Sequence, residues 1–392
     1  MITVPIAKSR ISDVNVTKAT RQMALIDAFG CVLAVEVQAR IDMPPFAQSA
    51  MDGYALGEGP ADQGSTFNVI GEVAAGSSRQ FQLKKGECVR IFTGAPVPET
   101  AKTVVQQEWV ERNNDRIVLQ REVPEKMHIR PIGEQIQAND VALPKGTLLN
   151  PAAIGFLQML GIVEVEVFAK PNVKVLVTGN ELVEPGKNLQ YGQIYESNAQ
   201  MLLAALRKEG IEGHVGRVKD DLDQTIESIE SALQENEMVI LSGGISVGDH
   251  DHVGTALKKL GVQEVFYKVA QKPGKPIFFG SKDGKAIFGL PGNPSASLTC
   301  FYEYVIPVIR KFMGRTDIFL PTLRLPLADG TIKQMSRAQF LKANISDGQV
   351  HILEGQSSAM LNTYSLANAL AYVPANAEAV NAREEIEVHL LP

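Results

Sequence analysis

The sequence predicts a multidomain protein in which a central α/β domain with a mostly parallel sheet is flanked by β-rich domains. The chain has 392 residues, more than one ordinary hydrophobic core accommodates, so two to four domains are expected. Residues 171–315 alternate strand-like and helix-like patterns, which is typical of a parallel sheet covered by helices on both faces. The segments on either side hold short apolar runs broken by Gly and Pro, as β-rich domains do.

The composition excludes several functional classes. Apolar residues make up 45% and charged residues 21%, as in soluble globular proteins. The formal net charge is -6 and there is no long basic run, so we expect no nucleic-acid-binding surface. The most apolar long window, residues 150–169, contains Glu164 and Glu166 and is not expected to span a membrane.

The cysteines indicate the redox compartment. Cys31, Cys88 and Cys300 lie far apart and form no C-x-x-C pair, so neither a zinc knuckle nor a disulfide framework is predicted. The N-terminus lacks a basic region followed by an apolar core, which argues against a secretory signal. We therefore expect a cytoplasmic protein in a reducing compartment.

The flanking segments contain both helix-like and strand-like patterns. Residues 18–30 (KATRQMALIDAFG) and residues 150–162 (NPAAIGFLQMLGI) have the spacing of helices. Runs such as FNVIGEV and KTVVQQEWV predict a small β-rich domain over about residues 46–132. Runs such as QVHILE and EIEVHLL predict a second one over residues 318–392.

The central domain is predicted element by element. Strands are expected where short apolar runs occur, at residues 174–178, 212–218, 238–241, 264–270 and 286–290. Helices are expected where apolar residues recur at helical spacing between caps, at residues 197–210, 222–235, 251–261 and 294–314. Pro307 is expected to bend the last of these helices or to end a turn within it.

Three strand ends in this domain lead into Gly-rich turns, at residues 178–186, 242–251 and 289–297. The carboxyl ends of parallel strands form the ligand crevice of an open sheet. Glycines allow close backbone approach, and hydroxyls and helix N-termini favour an anion. Ordinary turn chemistry is the alternative for each turn alone. The predicted ligand-binding residues are Thr178, Gly179, Ser242, Gly243, Gly244, Ser246, Gly248, Pro291, Gly292, Asn293 and Pro294.

The second of these turns ends in G-D-H-D-H, which raises the question of a metal. A transition-metal site needs a third ligand, and no other histidine lies in the three turns. Asp249 and Asp251 instead suit the N-terminus of the following helix, or a hard cation such as Mg²⁺.

Lys268, Lys272 and Lys275 lie close together in an otherwise apolar run. They form either a solvated loop or a small cationic cluster for an oxyanion. Two further turns, around Asp52 and around Thr93, are weak signals when each is taken alone.

Six motifs, taken together and in order, resemble the molybdopterin molybdenumtransferase family, which comprises MoeA in bacteria and the E domain of gephyrin in animals. The motifs are P-P-F-x-x-S-A-M-D-G-Y-A, I-x-T-G-A-P-V-P, T-G-x-E-L, S-G-G-x-S-x-G-x-x-D, K-P-G-K-P and G-L-P-G-N-P. The resemblance implies insertion of molybdenum from molybdate into the dithiolene of adenylylated molybdopterin, with Mg²⁺ present and AMP released. It also implies an elongated homodimer whose active site is shared between subunits, and possible contact with other molybdenum-cofactor proteins.

The resemblance also implies four domains and a set of functional positions. The domains are residues 1–45 with 133–170, residues 46–132, the molybdopterin-binding residues 171–317, and the β-barrel-like residues 318–392. The catalytic positions are Asp52, Thr93, Glu181, Asp221 (or Asp220 in a shifted register), Asp251, Lys268 and Lys272. The metal-facing positions are Asp52, Glu181 and Asp251, and the further substrate-binding positions are Lys275, Arg337 and Ser365.

The sequence departs from the family pattern at Ala47 and Asn180, where acidic or Asp/Ser residues are common. Three alternatives stay open. The α/β domain alone resembles molybdopterin adenylyltransferases, although the motifs around Asp52 and Thr93 favour the insertion enzyme. Tungstate resembles molybdate in size and charge. A gephyrin-like binding scaffold is disfavoured because nothing in the sequence adds that scaffold's further domain.

Overall fold

The computed structural model describes residues 1–219, 221–245, 252–333, 335–375 and 377–392. The chain forms two compact units, one comprising Gln22–Glu166 and the other Met1–Arg21 with Val167–Pro392. The finer division into four domains stays a prediction. Within the described ranges, no helix is long and apolar enough to cross a membrane.

The unit Gln22–Glu166 is built on a six-stranded sheet. Successive side chains point to opposite faces of this sheet, so one face packs Tyr54 and Phe67 while the other packs Val89 and Ile91. The strand order is Thr103–Gln106, Gly53–Leu56, Glu87–Ile91, Thr66–Val73, Arg116–Leu119 and Val110–Asn113. This confirms the β-rich character expected between residues 46 and 132.

The same unit contains shorter elements. Two small antiparallel pairs join Val37–Gln38 to Val141–Leu143 and Gln48–Ser49 to Ile129–Arg130. The expected second helix is present as Pro151–Met159, with the Asn150 side chain accepting a hydrogen bond from the backbone N–H of Ala153. A 3₁₀ turn covers Gln107–Trp109.

The helix expected over residues 18–30 is wrong. The structure has a strand, Thr20–Ala24, and a 3₁₀ turn, Leu25–Asp27. The backbone N–H of Leu25 donates to the carbonyl of Val163, a partner far along the chain. Such a partner overrides the local helical spacing, and nothing in the segment itself reveals it.

The second unit contains the predicted α/β domain. Its sheet has the order Gly213–Val218, Val173–Thr178, Met238–Ser242, Lys285–Leu290, Phe278–Lys282 and Gln263–Tyr267. The three pairings among the first four strands are parallel, and the remaining two pairings are antiparallel. The mostly parallel sheet is thereby confirmed, although the strand Phe278–Lys282 was not expected.

Helices cover both faces of this sheet. Val175 and Ile240 point into one core with the helix Asn198–Lys208, whereas Leu176 and Leu241 point into the other. The second core also holds apolar residues of the helices Leu222–Glu235 and His252–Lys259. Strands buried on both faces explain why the sequence shows continuous apolar runs here.

The last helical segment is interrupted, as Pro307 predicts. The chain runs as an α-helix over Pro294–Cys300, widens to a π-helical turn over Phe301–Val305, and resumes as Ile306–Phe312. Pro307 has no N–H to donate to the preceding turn, and a π turn is a common way to absorb such a defect.

A further sheet occupies the C-terminal part of this unit. Its order is Gln271–Lys272, Ala338–Ser346, Ala369–Val373, Glu385–Leu390 and Thr322–Pro326, with Gln349–Ile352 pairing on Ala338–Ser346. The lysine-containing segment therefore belongs to this sheet, a pairing that the sequence did not predict. The remaining elements are the helix Val4–Asp13, the 3₁₀ turn Asn362–Leu366, and the strand pairs Leu182–Val183 with Ile194–Tyr195 and Thr331–Ile332 with Val380–Asn381.

Candidate active site

A cavity of about 680 Å³ lies where the strands Val173–Thr178, Met238–Ser242 and Lys285–Leu290 end. All three predicted Gly-rich turns contribute to its lining. The predicted residues that line it are Thr178, Gly179, Glu181, Ser242, Gly243, Gly244, Pro291, Gly292, Asn293 and Pro294. The structure therefore brings together, in one cavity, the residues that the positions of the strand ends predict to bind a ligand.

Two glycines of the second turn allow this close assembly. Gly243 has φ +90°, and a Cβ there would lie 2.8 Å from the carbonyl oxygen of Thr178. Gly244 has φ +66°, and a Cβ there would lie 2.8 Å from Thr178 Oγ1. Neither the conformation nor the space admits a side chain, so the turn can lie directly against the end of the neighbouring strand.

Asn198 is a residue of this cavity that the sequence analysis missed. Its Nδ2 donates to Ser242 Oγ at 2.9 Å and to the carbonyl of Gly292 at 2.8 Å. The Ser-Asn sequence at residues 197–198 is typical of a helix cap, yet the Ser197 side chain makes no capping hydrogen bond. Glu196 instead accepts from the backbone N–H of Ala199 at 2.8 Å.

Two buried polar atoms of cavity-lining residues make no hydrogen bond within the described part of the chain. They are Thr178 Oγ1 and Asn198 Oδ1. A buried polar atom without a partner costs about 1–3 kcal/mol. The Thr178 hydroxyl can either donate or accept, whereas the Asn198 carbonyl oxygen can only accept.

A second cavity, of about 600 Å³, adjoins the first and shares Pro276, Pro291 and Asn293 with it. Lys272, Lys275 and Arg337 line it, and none of the three forms an ion pair with a described residue. The predicted cationic cluster is thus present, with Arg337 in place of Lys268. Sequence analysis missed four further polar residues of the lining: Gln271, Gln356, Ser357 and Ser358.

Lys268 lines neither of these two cavities. Its backbone has φ +61°, and its ammonium lies 4.5 Å from the centre of the Tyr267 ring. A cation over an aromatic face is an adequate environment for this side chain. The expectation that Lys268 and Lys272 act on one oxyanion gains no support from this geometry and stays a prediction.

Asp52 and Thr93 meet in the unit Gln22–Glu166. Asp52 Oδ1 accepts from the backbone N–H and from the hydroxyl of Thr93, both at 2.8 Å. The backbone hydrogen bond, then the hydroxyl and the charge of Arg90, lower the pKa of Asp52 below 3.8, against a smaller opposing effect of burial. Because the side chain is exposed and Oδ2 has no partner among the described residues, a carboxylate oxygen is available to a ligand.

Two further predicted positions, Asp221 and Ser365, do not line these cavities. Asp221 caps the helix Leu222–Glu235, since its Oδ1 accepts from the backbone N–H of Gln224 at 2.9 Å. Ser365 donates to the carbonyl of Asn362 at 2.7 Å within a 3₁₀ turn. Ser246, Gly248 and Asp251 lie outside the described residues, as does the alternative Asp220.

No group of three His, Cys, Asp or Glu side chains suited to a metal ion occurs within the described ranges. A Mg²⁺ ion bound with a substrate phosphate needs only one or two protein carboxylates, because phosphate oxygens and waters supply the other ligands. Glu181 is an exposed carboxylate in the lining of the first cavity and fits that requirement.

Fold and site together define a class: a multidomain protein whose α/β domain has a polar cavity at the carboxyl edge of a mostly parallel sheet. Residues 2–161 match the MoeA N-terminal region (domain I and II), residues 174–311 a probable molybdopterin binding domain, and residues 324–391 the MoeA C-terminal region (domain IV). The chain belongs to the MoeA family of molybdopterin molybdenumtransferases.

Relatives in other organisms match over the whole chain. The molybdopterin molybdenumtransferase of Haemophilus influenzae is 34% identical and covers 100% of both chains. That of Staphylococcus epidermidis is 32% identical over 99% of this chain and 95% of its own. The crystal structure of the molybdopterin biosynthesis moeA protein from Pyrococcus horikoshii OT3 superposes with a TM-score of 0.85 at 28% identity, covering 100% of each chain.

Proposed function

We propose that this protein acts in molybdenum cofactor biosynthesis and inserts molybdenum from molybdate into the dithiolene of adenylylated molybdopterin, releasing AMP. The observation that carries this proposal is the pair of adjoining cavities, one lined by the strand-end turns and the other by three cations. Family membership supports the same reaction.

The first cavity suits a phosphorylated pterin. It offers backbone N–H groups in Gly-rich turns, the hydroxyl of Thr178, and the N-terminus of the helix beginning at Pro294. Backbone N–H groups, hydroxyls and a helix N-terminus all favour a phosphate. The unpaired hydroxyl oxygen of Thr178 would bind a polar group of the same ligand.

The second cavity suits molybdate. Lys272, Lys275 and Arg337 are cationic near neutral pH, and molybdate carries two negative charges. Ser357 and Ser358 supply hydroxyl or backbone donors for its oxygens. Because the two cavities share three residues, molybdate held in one is close to a dithiolene held in the other.

Mg²⁺ forms part of the proposal. Bound to the substrate phosphates, it would neutralise the charge that develops as the phosphoanhydride is cleaved. Glu181 would hold it from the first cavity, with Asp52 and Asp251 as the further carboxylates that family resemblance indicates. The protein is further proposed to be a cytoplasmic homodimer in which the unit Gln22–Glu166 of one subunit completes the site of its partner. It is also proposed to contact other molybdenum-cofactor proteins.

The test is to incubate purified protein with adenylylated molybdopterin and Mg²⁺, adding molybdate, tungstate or neither. We expect AMP release coupled to incorporation of molybdenum into the pterin. Equal incorporation of tungsten would widen the oxyanion specificity. A parallel incubation supplies ATP and molybdopterin instead of the adenylate. Formation of the adenylate there, with no metal insertion in the first incubation, would support an adenylyltransferase and contradict the proposal.

A further inference from the structure

Asn198 is the first residue of the helix Asn198–Lys208 and lies between two turns of the cavity. It is 8% exposed, and Ser242, with which it forms a hydrogen bond, is 2% exposed. Its two Nδ2 hydrogen bonds reach Ser242 at the end of one strand and Gly292 after the end of the next. One side chain thus connects three segments that surround the ligand cavity.

The orientation of this amide follows from its partners. A backbone carbonyl such as that of Gly292 can only accept, so the amide nitrogen, and not the amide oxygen, must face it. Ser242 Oγ then accepts the second hydrogen of the same nitrogen. Both hydrogens of Nδ2 are used, and both hold protein groups.

The backbone connection between the same two turns is weaker. The N–H of Gly243 donates to the carbonyl of Leu290 at 3.3 Å, close to the limit for a hydrogen bond. Gly243 and Gly292 carry no side chain that could add a contact, and a Cβ built on Gly292 would lie 3.9 Å from the Cα of Gly243. The parallel ladder between the two strands ends at the pair Ser242–Leu290. Beyond that pair, the Asn198 amide adds two hydrogen bonds that connect the turns.

We propose that Asn198 is a positioning residue: its amide sets the separation between the Ser242–Gly244 turn and the Pro291–Pro294 turn and thereby the affinity of the cavity for the pterin substrate. The proposal rests on the function proposed above for the same cavity. It assigns Asn198 to the binding of the pterin and not to the binding of molybdate, because Asn198 lines the first cavity and not the second.

The experiment compares Asn198→Ala, Ser242→Ala and the double variant, all as full chains. Asn198→Ala removes both connections, and we expect about a tenfold rise in the KM for adenylylated molybdopterin. Ser242→Ala removes one of the two connections, and we expect roughly a threefold rise in the same KM. The double variant is expected to match Asn198→Ala, because the lost contact is shared. The kcat and the half-saturating molybdate concentration should stay within about twofold of wild type.

Asn236→Ala is the matched control. Asn236 is also a buried asparagine, 6% exposed, whose Nδ2 donates to a backbone carbonyl, that of Ala232 at 2.8 Å, but it lines neither cavity. We expect it to lower the thermal midpoint without changing the KM. Fluorescence titration with metal-free molybdopterin gives a dissociation constant even if no turnover is found, so a failure of the proposed reaction is distinguishable from a failure of this inference.

A dissociation constant for molybdopterin that changes no more in Asn198→Ala than in Asn236→Ala would overturn the assignment. A rise in the half-saturating molybdate concentration as large as the rise in the KM for the pterin would also overturn the assignment, because it would indicate a general loss of structure. If Asn198→Ala does not fold, Ser242→Ala decides the question: an unchanged affinity in that variant contradicts the proposal.

Discussion

At the scale of single residues, the Asp52–Thr93 pair shows how one carboxylate is kept ionised and available. Thr93 donates two hydrogen bonds to the same oxygen, and Arg90 adds a favourable charge. Hydrogen bonds to the charged form lower a pKa, so the carboxylate stays negative through mild acid. Its second oxygen is left for a cation or a donor from the substrate.

Thr93→Val is expected to raise the pKa of Asp52 towards 3.8 without reaching it, because the backbone N–H bond remains while the hydroxyl bond is lost. Since the folded pKa is depressed, the associated stabilisation is present above the unfolded pKa and is lost as the pH falls through the folded one. Carboxyl NMR titration measures the change. Thr93→Ser retains the hydroxyl, and a pKa that rises as much in this variant would contradict the assigned cause.

The three cationic side chains of the second cavity lead to a prediction about the affinity for molybdate. Lys272→Gln keeps most of the side-chain length but removes the charge, so more molybdate should be needed for half-maximal insertion. We expect about a tenfold rise, at the low end for a charge-assisted contact because Lys272 is exposed.

Lys259→Gln, an exposed lysine outside both cavities, is the control for a general charge effect in the molybdate titration. If Lys272→Gln leaves the half-saturating molybdate concentration unchanged but weakens binding of the pterin, Lys272 would be assigned to the substrate phosphate and not to molybdate.

At the scale of secondary-structure elements, the π-helical turn Phe301–Val305 carries a buried charge network. Glu303 is 1% exposed, and its two oxygens contact Lys8 at 2.8 Å and His389 at 2.7 Å. Lys8 belongs to the helix Val4–Asp13 and His389 to the strand Glu385–Leu390. Three elements that are distant in sequence therefore meet at one carboxylate.

Glu303→Gln is expected to lower the free energy of unfolding by about 3 kcal/mol or more, because it removes the buried carboxylate and leaves the Lys8 ammonium without its partner. Burial by itself raises the pKa of Glu303, but Lys8 and His389 together hold it below its usual value. The stabilisation is therefore present above the unfolded pKa and is lost as the pH falls through the folded one.

Urea denaturation at several pH values measures this loss. The control is Glu184→Gln, which breaks a solvent-exposed pair with Lys187 and should lower the free energy of unfolding far less than Glu303→Gln does. Equal losses for the two variants would show that burial contributes nothing to the Glu303 network.

Variants of Asp221 can distinguish a structural role of this residue, which caps a helix, from a chemical role in the reaction. Asp221→Ala should cost about 1 kcal/mol of stability, and Asp221→Ser should restore it, because serine also caps helices well. Thermal melting and AMP release are measured for both variants. If the carboxylate itself acts in the reaction, AMP release stays low in the stable Ser variant; full recovery there would limit Asp221 to capping.

At the scale of the whole molecule, the chain's two units each carry predicted functional groups. The unit Gln22–Glu166 holds Asp52 and Thr93, and the other holds the two cavities. The proposed homodimer, in which the unit Gln22–Glu166 of one subunit completes the partner's site, has a direct consequence for mixed variants.

Asp52→Ala and Glu181→Ala are each expected to lose most activity, and mixing them with subunit exchange should recover roughly a quarter of the wild-type rate. At random exchange half of the dimers are hybrids, and each hybrid has one intact site of two. Mass spectrometry of intact dimers monitors the exchange. Absence of recovery despite complete exchange would confine each site to a single chain.

The sequence by itself determined the elements and turns whose signals are local. Alternation of strand and helix patterns specified the mostly parallel sheet, and the Gly-rich strand ends specified which turns form the cavity. Pro307 similarly marked the interruption of its helix, because the missing N–H acts on its own turn.

Only the tertiary structure decided which distant side chains meet. It made residues 20–24 a strand, put Arg337 rather than Lys268 with Lys272, and gave Asn198 its partners Ser242 and Gly292. Periodicity and turn chemistry report the conformation of neighbouring residues, whereas these contacts depend on how separate segments pack and leave no pattern in either segment alone.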